Sequence, residues 1–177
     1  MSLRIMAVVA SLLCAALVLA ADDAAKPPNL VKNGGFEEAA EGKPAGWFIA
    51  IAEGGKAEAA VITDNVKEGK QAAKFTGDGE WAVLVSPKVA VEKGKRYTLT
   101  GHARAAKGTG QLKFDYFDKA GEYLGSTYGA EVFANTWEKD TLTDELSDYP
   151  AATHLSAAGV GTGQFEVYFD DFTVTAK

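Results

Sequence analysis

From Asn29 onward the chain consists of short runs rich in β-branched and aromatic residues, each closed by Gly, Asp, Asn or Lys clusters, with no sustained helical period. The alanines between Ala39 and Ala60 do not make a helix, because Gly42, Pro44, Gly46, Gly54 and Gly55 interrupt every candidate turn. Alternation is strict in the middle of the chain. Tyr97, Leu99, Gly101, Ala103 and Ala105 share one parity and Thr98, Thr100, His102 and Arg104 the other, as a strand with one buried and one wet face requires. Leu112, Phe114 and Tyr116 then alternate with Lys113, Asp115 and Phe117. Between the two runs, Lys107-Gly108-Thr109-Gly110 reads as a hairpin turn, and Asp118-Lys119-Ala120-Gly121 as a second turn.

Strands are expected at Leu30 to Asn33, Trp47 to Ala52, Glu58 to Thr63, Gln71 to Phe75, Trp81 to Val91, Arg96 to Ala105, Gln111 to Phe117, Tyr123 to Tyr128, Trp137 to Thr143, Thr153 to Ala158 and Phe165 to Thr175. The glycine-rich Gly159 to Gly163 precedes a strand rather than a helix, so it is expected to be a flexible connection and not a phosphate cradle. Many short antiparallel strands in one domain are most stable as two packed sheets, so the expected fold is an all-β jelly-roll sandwich. In the closing strand Phe165, Val167 and Phe169 share one parity while Phe172 and Val174 share the other. A bulge at Asp170-Asp171 would supply that shift, and two carboxylates there need donors, water or a cation around them.

Residues 1–20 read as a secretory signal peptide: Arg4 leads, the apolar run Ile5 to Leu19 follows, and Val18-Leu19-Ala20 precedes Ala21. Residues 21–28, polar and ending in Pro27-Pro28, read as a disordered lead, leaving 29–177 as one domain. The expected location is therefore secreted or periplasmic. Cys14 lies inside the leader, so the mature domain must be stable without disulfides. Loss of Arg4 takes the formal charge from −6 to −7, which argues against a nucleic-acid partner. No membrane span is expected in the mature domain, which reads as a monomer.

Asn29-Leu30-Val31-Lys32-Asn33-Gly34-Gly35-Phe36-Glu37 and Pro44-Ala45-Gly46-Trp47 resemble the opening of carbohydrate-binding modules of the CenC type, within the galactose-binding-domain-like superfamily. Val91 to Leu99, Tyr116 to Gly121, Trp137 and Tyr168 to Val174 resemble later parts of the same family in order. The resemblance implies a galactose-binding-like jelly roll, a sugar site and a structural calcium. It makes Glu37 a calcium ligand with one of the closing aspartates, Asp171 in preference to Asp170, the shell being completed by carbonyls of Glu68-Gly69-Lys70-Gln71. Calcium takes oxygen ligands from carboxylates and backbone alike, which agrees with that set. A solvated Glu37-Glu38 pair at a strand end is the alternative.

Sugar recognition needs exposed rings against apolar sugar faces, with polar groups for the hydroxyls. Candidates are His102, Arg104, Lys113, Asp115 and Phe117 on the wet parity, with Trp81 and Tyr123 near strand ends. Trp47, Trp81 and Trp137 fit core positions as well, and Arg104 beside Asp115 fits a cross-strand charge pair. No carboxylate pair stands out for glycoside hydrolysis, and the sequence holds no nucleophile elbow or His-rich metal spacing. The expected function is a non-catalytic carbohydrate-binding domain, the alternative an extracellular structural or adhesive sandwich without sugar binding.

Overall fold

The computed structural model describes residues 27–177; the segments read above as a signal peptide (1–20) and, for the most part, as a lead (21–28) lie outside the described residues. Eleven strands follow in chain order among the described residues: β1 (Ala39–Ala40), β2 (Lys43–Pro44), β3 (Phe48–Ile51), β4 (Lys56–Ile62), β5 (Ala72–Asp78), β6 (Ala82–Val85), β7 (Val89–Ala90), β8 (Tyr97–Phe117), β9 (Tyr123–Val132), β10 (Glu138–Asp144) and β11 (His154–Ala176). β8 and β11 run antiparallel to one another along nearly their whole length and bend together, so that each contributes to two layers. In the first layer the order is β10, the N-terminal half of β8, the C-terminal half of β11, β5, β4. In the second it is β9, the C-terminal half of β8, the N-terminal half of β11, β6, β3, with β7 also against β11. The result is an all-β sandwich.

The two layers face each other through Gly159 under the Phe169 ring, Gly101 beside Leu112 and Gly110 beside Val167. Between them Phe75 packs on Phe165 at 5.0 Å and Phe169 on Phe172 at 5.8 Å, within a core that includes Leu99, Leu112, Phe114 and Leu155. Tyr97 to Ala105 send odd positions into the core between the layers while Leu112 to Tyr116 send even ones, so the corner absorbs a phase slip, matched by register shifts in β11 between Thr162 and Val167. The Lys107–Gly110 run is therefore a corner in a continuous strand and not a hairpin; its flanks pair with β11, not with each other. Gly159 to Gly163 likewise lie inside β11 rather than in a loose connection. Gly159 and Gly161 leave space for the Phe169 and Phe165 rings of the opposite layer.

The expected bulge is present: register shifts between Asp170 and Thr173, Asp171 has φ 51°, and Phe169 and Phe172 are both buried despite opposite parity. Leu30 to Asn33 form no strand. The Asn29 side chain instead ties this segment to the edge of β11, donating to the Phe172 carbonyl (2.9 Å) and accepting from the N–H groups of Val31 and Val174. The turn that follows, with positive φ at Asn33 and Phe36, drops Phe36 into the core between Trp47 (4.8 Å) and Phe172 (5.8 Å). The single strand expected over Trp81 to Val91 is two short ones, β6 and β7, parted at Ser86 to Lys88, where Pro87 has no N–H for a ladder.

Candidate functional site

The outer face of the second layer is apolar, which a solvated sheet face is not. Val83 and Val85 of β6 and Ala158 and Val160 of β11 form a buried cluster there, separate from the main core, with Ala50 of β3 against it. Phe48, Trp81, Phe117, Tyr123 and Tyr128 rise around this floor, enclosing with Lys88, Lys113 and Asp115 a groove of about 630 Å³. Phe48, Trp81, Tyr123 and Tyr128 are 47, 39, 58 and 52% exposed, so ring faces are offered to solvent on both sides of the groove. Sequence alternation explains part of this: Lys113, Asp115 and Phe117 are i, i+2, i+4 on one face of β8.

Lys113 Nζ lies 2.7 Å from Asp115 Oδ1, and both side chains are almost wholly buried. The Ser126 hydroxyl donates to Asp115, accepts weakly from Lys113 (3.5 Å) and meets the Tyr123 hydroxyl at 2.6 Å. Burying an ion pair costs desolvation that its attraction only partly offsets, so stability is a weak account of this pair. An ammonium carries three N–H donors and a carboxylate two oxygens, so capacity for further hydrogen bonds remains at the floor. Across the ladder Ser156, opposite Asp115, has a buried hydroxyl with no partner among the described residues.

Five of the residues expected at a ligand site, Trp81, Lys113, Asp115, Phe117 and Tyr123, are thus brought together. His102 and Arg104 are not; they lie on the outer face of the first layer, because β8 turns its corner between them and Asp115. Arg104 makes no pair with Asp115. Its guanidinium lies over the Tyr168 ring (3.8 Å) and near Trp137 (5.6 Å) and donates to Asn135 Oδ1. Beside it Lys74 pairs with Glu166 at 3.0 Å, and the Tyr168 hydroxyl also donates to Glu166, which holds that carboxyl below its usual range. Trp137 donates its indole N–H to the Asn65 carbonyl, and Trp47 packs in the core, so of the three tryptophans only Trp81 lines the groove. Phe48, Tyr128 and Lys88 were not singled out by the sequence, since nothing local to them reveals that β3, β7 and β9 flank one face.

Of the residues implicated in calcium, Glu37 and Asp170 reach the turn between β4 and β5 to which Lys70 belongs, at different backbone N–H groups. Glu37 Oε1 accepts from the N–H groups of Lys70 (2.7 Å) and Gln71 (3.1 Å). Gly69, at φ 65°, leaves room for that carboxylate where any side chain would collide with it. Asp170 is fully buried; its oxygens accept from the N–H groups of Lys67, Glu68 and Asp171. Burial pushes its carboxyl up to about 6, against the pull of those hydrogen bonds. Asp171, half-exposed, faces His102 Nδ1 at 3.9 Å. Burial and then the Lys67 charge lower the His102 pKa, favouring the neutral ring. Gln71 Oε1 is buried with no donor among the described residues, an oxygen of the kind a hard cation takes. No three of His, Cys, Asp or Glu cluster among the described residues, so an ion here would depend on amide and carbonyl oxygens beside Glu37.

A sandwich of this kind with a ring-lined groove on an outer face is the architecture of a ligand-binding module, and similar solved structures share the fold. The bacteriophage CBA120 tailspike protein 4 enzymatically active domain matches at TM-score 0.64 and 15% identity, over 84% of this chain but only 21% of its own length. The CBM22-1 xylan-binding domain from Paenibacillus barcinonensis Xyn10C matches at TM-score 0.58 and 19% identity, over 81% of this chain and 91% of that one. A Stig cyclase, Fisc from Fischerella sp. TAU, matches at 0.64 and 18%, over 84% and 96%. No curated protein matches significantly. The sequence model of the CBM_4_9 family, described as a carbohydrate binding domain, matches residues 28–147, and the chain belongs to that family. No helix among the described residues is long and apolar enough to cross a membrane.

Proposed function

We propose that this chain is an exported, non-catalytic carbohydrate-binding module of the CenC type that holds a poly- or oligosaccharide in the outer groove of the second layer. The observation that carries the reading is the groove itself: solvent-exposed rings on both walls, with the buried Lys113–Asp115 pair and Ser126 at its floor. Rings of this kind lie against the apolar C–H faces of pyranoses, while the floor groups exchange hydrogen bonds with hydroxyls. A structural sandwich that had lost its ligand would not keep such rings exposed around a second apolar cluster. Membership of a carbohydrate-binding family and likeness in fold to a xylan-binding domain support the class of ligand.

A structural calcium is part of the proposal. Glu37 and Gln71 Oε1 would hold it with carbonyls of the Glu68 to Gln71 turn, Lys70 among them, and with a closing aspartate. The ion would cross-link the Glu37 segment to that turn. Affinity electrophoresis of the calcium-replete mature domain against soluble and insoluble polysaccharides tests the sugar reading. Retention on at least one polysaccharide class is expected, lost in Phe117→Ala and Trp81→Ala with little change in melting. Retention unaltered by both substitutions contradicts the groove assignment.

A further inference from the structure

The chain is acidic, with 24 Asp and Glu against 18 Lys and Arg, yet the charged residues lining the groove are Lys88, Lys113 and Asp115. Asp115 is committed to Lys113 at 2.7 Å. Lys88 has no carboxylate within ion-pair distance among the described residues. Its ammonium donates to the Gly121 carbonyl at 3.1 Å and stands 3.9 Å from the centre of the Phe117 ring. Those two contacts fix it at one end of the groove by a hydrogen bond and a cation–π contact, and two of its three N–H donors remain unspent. A positioned, uncompensated cation beside stacking rings suits a ligand that is apolar in its faces and anionic at one substituent.

We infer that the groove, if it is the saccharide site proposed above, selects sugars bearing a negative group. A uronic acid carboxylate meets Lys88 while neighbouring units lie against Trp81 and Tyr123. A sulfate ester carries the same charge, and the test separates the two. The mature domain is titrated, at low and high salt, with matched acidic and neutral polysaccharides: galacturonan and its methyl ester, glucuronoxylan and unsubstituted xylan, and dextran sulfate and dextran. In at least one pair the acidic member binds roughly five- to tenfold more tightly at low salt, with the advantage shrinking at high salt. Lys88→Gln brings the acidic member to the level of the neutral one. Preference for carboxylate pairs identifies a uronate, preference for dextran sulfate alone a sulfated sugar. Equal binding within every pair, binding to neutral members only, or a preference that survives Lys88→Gln overturns the inference and leaves the proposed function standing. No binding to any member, nor to other glycans, defeats the proposed function itself and the inference with it.

Discussion

At Gly159 a hydrogen in place of a side chain lets the Phe169 ring of the opposite layer lie directly on the β11 backbone. A Cβ there would stand 2.6 to 2.8 Å from three ring carbons, and the ring, with no exposed surface, has nowhere to move. Gly159→Ala is expected to cost about 1–3 kcal/mol, as overpacking of a well-filled core does. Gly163→Ala, at φ 68° with open space around it, is expected to cost only about 1 kcal/mol of backbone strain. Urea denaturation of the two variants compares them; equal losses would contradict the packing account. In the sequence these two glycines look alike, since a local run of small residues signals looseness whether or not a ring from elsewhere fills the gap. Alternation, by contrast, is local, and it revealed the buried faces of β8 and the bulge at Asp170-Asp171.

Among the elements, the corner of β8 decides what the site contains. A glycine-rich run between two alternating runs has the same local signal as a hairpin and as a bent strand; only the register against β11, more than forty residues away, separates them. With a hairpin, Arg104 and Asp115 would be neighbours on one face; with a corner they lie on outer faces of different layers. The turn between β4 and β5 is the other decisive element, since Glu37 and Asp170 reach it from distant parts of the chain through backbone N–H groups. If calcium completes that clasp, it binds the folded state alone and stabilises by mass action. Calorimetry should show a fall in melting temperature of several degrees when chelator is added to calcium-replete protein, reversed by excess calcium. An unchanged melting temperature contradicts the calcium proposal.

Over the whole molecule the two outer faces differ in kind. That of the first layer takes up most of its polar groups internally: Arg104 lies on Tyr168, Glu166 takes Lys74 and Tyr168, and Trp137 is tied to Asn65, with Arg104 Nε and His102 Nδ1 left without a hydrogen-bond partner among the described residues. That of the second leaves rings exposed and floor groups with unspent hydrogen-bonding capacity around a groove. Parity along β8 located Lys113, Asp115 and Phe117, yet Phe48 on the far edge strand and Tyr128 on the opposite one joined them only through strand order, which no local pattern encodes. The central claim is that the second face, not the first, takes the sugar. The three tryptophans report on it separately, Trp47 from the core, Trp81 from the groove and Trp137 from the first face. Titration with oligosaccharides of the retained polysaccharide, followed by the three indole N–H resonances, is therefore the most direct measurement. The account predicts that the Trp81 resonance shifts saturably while those of Trp47 and Trp137 stay in place; a shift of Trp137 with Trp81 unmoved would contradict it.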